Sequence, residues 1–135
     1  MYAAVRGLTR LLHELTVTGV AAARYAALEA REKLRQLYDT IEAFQAKLTK
    51  AKAAQAAAFA TLAPLQARLV ALWRANPGEQ SAAAETLALE IAAAETVYNF
   101  ASDNVNDCRN DIKHTYELLK RVQSQMDAIK GALRA

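Results

Sequence analysis

Two histidines and one cysteine have the widest chemical repertoire in this chain, yet their spacing gives them little to do. Asp111, His114 and Glu117 recur at three-residue steps, which on a helix brings two carboxylates and an imidazole toward one face. Such a trio could ligate a divalent cation. A di-iron bundle, however, needs carboxylates from several helices and a Glu-x-x-His spacing, and neither is present. A solvated helix face accounts for the trio better, so no metal site is expected. His13 stands alone. Cys108 is the single cysteine, which excludes an internal disulfide. It reads as a small buried hydrophobe and is compatible with a reducing compartment. There is no glycine-rich phosphate loop, no nucleophile–base signature and no carboxylate pair in an apolar setting. No catalytic residue and no cofactor are expected, and the chain does not read as an enzyme.

The basic residues offer a second kind of chemistry. Arg31, Lys33 and Arg35 form one group, and Lys47, Lys50 and Lys52 another. Each could meet nucleic-acid phosphates. Acidic residues on the returning segment dilute that field, and no aromatic residue interleaves with the lysines. A formal net charge of +3 is mild for such a role. Solvated helix faces are the plainer account. A small helical subunit gripping a nucleic-acid backbone stays as the alternative function.

The elements that carry these residues are written in two ladders of apolar positions. The first runs Val20, Ala23, Ala27, Ala30, Leu34, Leu37, Ile41, Phe44, Leu48, Ala51, Gln55, Ala58, Leu62, Leu65, Leu69, Leu72. The second runs Ala84, Leu87, Ile91, Ala94, Tyr98, Ala101, Val105, Cys108, Ile112, Thr115, Leu119, Val122, Met126, Ile129, Leu133. Alternating steps of three and four hold an apolar seam on one side of a helix and imply a left-handed coiled coil. Between them stands a turn signal, Asn76-Pro77-Gly78. Folded back there, residues equidistant from Gly78 should face one another: Leu69 with Leu87, Leu48 with Cys108, Leu37 with Leu119. Large side chains meet small ones in many layers, as a close-packed seam of constant width requires. The register also brings Lys47 near Asp111 and Arg68 near Glu90. The outgoing segment is rich in Lys and Arg and the returning one in Asp and Glu, which favours pairing within one chain.

These patterns predict one all-α domain over residues 1–135: a long antiparallel coiled-coil helical hairpin preceded by a short amphipathic N-terminal helix. The short helix covers 1–16, with Met1, Val5, Leu8, Leu12 and Leu15 on one face, and Thr16-Val17-Thr18-Gly19 breaks it from the next element. The first arm runs 19–75 with a kink at Pro64, the turn covers 76–80, and the second arm runs 81–133 with Ser81 near its start. Each arm of about 50 residues would measure about 75–80 Å. Hydrophobic residues make up 53% of the chain, but the surplus is alanine, which supports helix and buries little area. A thin core is a reason to expect further packing.

Where that packing falls is suggested by Ala53 to Ala67, a stretch without charge. Beside the seam, Tyr38, Phe59 and Trp73 on the first arm and Tyr116 on the second form an aromatic flank. A widened apolar stripe suits a helix with two neighbours, as in a helical bundle. The expected function is therefore that of a structural or interaction protein, an adaptor, stalk or assembly factor. Its partners are proteins, including further copies of itself, and Tyr38, Phe59, Trp73 and Tyr116 are its anchors. Arg6, Arg10, His13 and Glu14 interrupt any secretory leader in the first fifteen residues, and no uninterrupted apolar run reaches membrane-spanning length. A cytoplasmic location and no membrane span are expected. In size and geometry, over its whole length, the expected hairpin resembles the small antiparallel coiled-coil stalk and adaptor proteins of secretion-export and phage-type assemblies. That likeness implies a part in a larger assembly.

Overall fold

The structure, a computed structural model, describes the backbone of residues 2–78 and 81–134 and the side chains of residues 19–78 and 81–134. Two helices account for it: α1, Tyr2–Ala75, and α2, Ala82–Arg134. Among the described residues there is no strand. Alanine, leucine, glutamate, lysine and arginine dominate both helices, and all are strong helix formers. The bounds of α1 run through Thr16–Gly19 and through Pro64 without a stop. The apolar face expected for residues 1–16 falls on side chains outside the described residues.

The connection between the helices follows from its residues. The Asn76 N–H still donates to the Leu72 carbonyl at 3.1 Å, the last helical bond of α1. Pro77 has no N–H to continue the ladder and disfavours helical geometry at Asn76. Gly78 then takes φ +84°, a left-handed conformation that a side chain would penalise. Ser81 opens α2. Its Oγ accepts from the Ala84 N–H at 3.1 Å while its carbonyl accepts from the Glu85 N–H at 3.1 Å, a serine cap on the third helical residue. Glu85 in the first turn suits the positive end of the helix dipole.

The chain resolves into two compact units, each built from a segment of both helices. Unit 2, residues 42–113, contains the connection. Its core is Leu62, Leu87 and Ile91, against which Leu65, Leu69, Ala94 and Tyr98 pack. Burying each large aliphatic side chain stabilises the unit by roughly 1.5–3 kcal/mol. Ala58, Ala84, Ala101 and Val105 are buried as well, Val105 almost completely. One rung is polar: Gln55 Nε2 donates to Ser102 Oγ at 3.1 Å, so its partly buried amide has a partner.

Unit 1, residues 1–41 and 114–135, buries Ala30, Ile41, Leu119 and Val122, together with the hydroxyl-bearing Thr115. Among the described residues no buried side-chain nitrogen or oxygen lacks a hydrogen bond. Gln123 Nε2 donates to Tyr38 Oη at 3.3 Å.

Burial follows the two ladders closely. Every ladder residue from Ala23 to Leu72 and from Ala84 to Ile129 is buried or half-buried. Val20 and Leu133, at the ladder ends, are 37% and 36% exposed. Ala26, Ala63, Ser81 and Ser102 are half-buried without belonging to either ladder. The threonines outside the seam turn inward in a different sense: Thr40, Thr49, Thr61, Thr86 and Thr96 each donate their hydroxyl to the carbonyl four residues earlier.

Candidate interaction surface

The four aromatic residues singled out beside the seam divide between the units. Tyr38 and Tyr116 belong to unit 1, Phe59 and Trp73 to unit 2. All four are exposed, Phe59 and Trp73 at 54% and 55%. Each follows a seam residue by one position, on Leu37, Ala58, Leu72 and Thr115, and so sits just off the buried line. In unit 2 the Phe59 ring leans on Tyr98, with centroids 6.0 Å apart and planes tilted by 53°. That geometry is a favourable aromatic pair, and it holds Phe59 in place while leaving its outer face open. In unit 1, Tyr38 Oη accepts from Gln123 of α2, and the side chain stays half-exposed. Ordered rings with open faces lose little entropy on binding, which is what an anchor requires.

A second group of exposed apolar side chains went unnoticed in the sequence. Leu89, Val97 and Phe100 in unit 2 are 73%, 60% and 69% exposed. Leu89, Ala93, Thr96 and Phe100 recur at steps of four, three and four, so helical spacing could have found them as an outer row of α2. Tyr25 and Leu28 are exposed in unit 1. Around the charge-free stretch Ala53–Ala67, α1 is apolar on nearly every side. Gly19–Ala75 accordingly contains a segment long and apolar enough, by length and composition, to cross a membrane. No uninterrupted apolar run within it is that long; scattered polar residues are averaged out along the segment.

The basic residues spread around α1 rather than along one line. Lys47, Lys50 and Lys52 are all exposed on α1, but at 100° per residue Lys50 and Lys52 stand about 200° apart around the helix. Lys47 Nζ lies over the Phe44 ring at 5.6 Å, a cation–π contact within the helix. In unit 1, Arg35 pairs with Glu32, its Nη2 2.6 Å from Oε1 and its Nε 3.2 Å from Oε2. The Arg35 hydrogen bonds hold the Glu32 carboxyl below the usual carboxylate range, and Glu32 in turn raises the guanidinium. Arg31 and Lys33 are exposed. Arg68 and Glu90, expected near one another, both line one shallow groove of unit 2.

Among the titratable residues of unit 1, His114 Nδ1 lies 3.7 Å from Glu117 Oε2, both largely exposed. Among the described residues no three His, Cys, Asp or Glu side chains converge as a metal site would need. Cys108 is a half-buried free thiol. No family model, no curated protein and no solved structure matches the chain.

Proposed function

We propose that this chain is a non-enzymatic structural or interaction protein: a coiled-coil hairpin that serves as adaptor, stalk or assembly factor in a larger complex. The antiparallel coiled coil is part of the proposal. In it, residues equidistant from Gly78 share a layer along the full seam, and the coincidence of burial with both ladders supports it. The Gln55–Ser102 bond and the Phe59–Tyr98 contact each depart from perfect symmetry about Gly78 by a single residue. A cytoplasmic location is proposed with it.

The observation that carries the interaction role is the set of exposed aromatic side chains beside an otherwise satisfied seam. Tyr38, Phe59, Trp73 and Tyr116 cost the free protein solvent-exposed apolar area and add little to the seam. Capture of the native complex with the full chain, compared with the Phe59→Ala/Trp73→Ala chain, tests the reading. The expected result is one or more proteins, further copies included, retained by the first and lost by the second at equal helicity. A fall in helicity in the variant would mean that these rings are core and not anchors. Charge reversal at Lys47, Lys50 and Lys52 should leave protein association intact; loss of retention on nucleic acid there, with protein association unchanged, would favour the phosphate-binding alternative.

A further inference from the structure

Phe59 and Trp73 are two rungs of a shorter ladder that the seam hides. Ala56, Phe59, Ala63, Gln66, Val70 and Trp73 follow alternating steps of three and four along α1, each one residue beyond a seam position. One residue turns the helix by about 100°, so this row faces a direction roughly at right angles to the seam. In a four-helix bundle that is where a helix meets its second neighbour. The row carries no charge. Ala63 is half-buried, while Phe59, Val70 and Trp73 remain 54%, 41% and 55% exposed. A row with a period of 3.5 residues fits a partner helix of the same period.

The row matches itself. Laid antiparallel about the point between Pro64 and Leu65, it sets Trp73 opposite Ala56, Phe59 opposite Val70, and Gln66 opposite Ala63. The two largest rings thus meet smaller side chains, the condition for packing at interior density. The absence of charge on every rung means that two copies approach without repulsion along it. Half-exposed Phe59 and Trp73 each present on the order of 100 Å². With the smaller rungs, the face offers about 500–600 Å² per copy, so a symmetric pair buries about 1,000–1,200 Å², the lower edge of what a specific dimer needs.

We propose that a second copy of this chain covers this face, α1 against α1 in antiparallel sense, across a two-fold axis at Pro64–Leu65. This rests on the interaction reading above and names its partner. The alternative occupant, the outer row of α2 from another copy, would make a head-to-tail contact that propagates instead of closing.

Two measurements on the full chain decide it. Sedimentation over micromolar to submillimolar concentration should give a closed monomer–dimer equilibrium, weakened about 100-fold by Phe59→Ala/Trp73→Ala and unchanged by Leu89→Ser/Phe100→Ser. A spin label at Ala53→Cys, in a Cys108→Ser background of wild-type helicity, should report about 35–40 Å between copies, the axial offset for this register. A distance under about 20 Å means a parallel pair and overturns the proposal. So does loss of association in the Leu89→Ser/Phe100→Ser chain, or growth beyond dimers. A wild-type monomer at the highest concentration overturns the self-pairing alone if the aromatic variant keeps its helicity. If that variant loses helicity, the interaction reading fails with it.

Discussion

Residues 29–39 and 53–67 lie on the same helix and carry the same seam, but everything beside the seam differs. The first stretch surrounds Ala30, Leu34 and Leu37 with Glu29, Arg31, Glu32, Lys33, Arg35 and Asp39. The second surrounds Ala58, Leu62 and Leu65 with alanine, glutamine, threonine, Phe59 and Pro64. Both stretches bury or half-bury their ladder residues. In each unit the ladder positions are the ones removed from solvent. The charges of the first stretch are what a solvated helix face ordinarily shows, so the uncharged second stretch is surplus to folding. Surplus apolar surface of that kind is what the proposed second copy would cover.

Seam positions in both units should be comparably intolerant. Ile91→Asp and Leu119→Asp place an unpaired carboxylate in a buried layer and should each remove about 3–5 kcal/mol, read as loss of cooperative helical signal on thermal or urea unfolding. If either is silent, the seam is not what holds its unit together. Cavity formation is the gentler version: Leu62→Ala should cost about 2–4 kcal/mol by the same measurement. Changes at the connection should be smaller. Ser81→Ala should cost about 1 kcal/mol through loss of the Ala84 cap, and Gly78→Ala about 1–2 kcal/mol through its positive φ, with oligomeric state unaffected. The smallest effect belongs to the charged stretch. Arg35 lowers the Glu32 carboxyl, so the pair's contribution is present above the ordinary glutamate value and fades as pH falls through the depressed one. In an NMR titration, Arg35→Ala should move the Glu32 midpoint upward while leaving the unfolding midpoint at neutral pH almost unmoved.

The buried line along each helix was legible because a spacing of three and four is a strict periodic signal, and it located even Gln55, whose amide is paired to Ser102. The all-helical class, the stop at Asn76-Pro77-Gly78 and the start at Ser81 were equally readable, each from a local chemical rule. Flank geometry was harder. A row of Ala56, Ala63 and Val70 between Phe59 and Trp73 is masked by alanines that recur in every direction. The outer row of Leu89, Ala93, Thr96 and Phe100 is masked in the same way. The register placed Arg68 near Glu90, and the two line one groove, while the Lys47 ammonium, which the register placed near Asp111, lies over Phe44 in its own helix. Long flexible side chains choose among several neighbours, and residue spacing does not rank them.

The threonines of the turn-proximal unit add one consequence. Thr49, Thr61, Thr86 and Thr96 give their protons to the carbonyls of Gln45, Ala57, Ala82 and Ala92, so each hydroxyl proton is taken up by its own helix. What an approaching molecule touches there is mainly a methyl group. To a visitor, these four polar letters have no proton left to give, and the skin of this part of the protein is oilier than its spelling suggests.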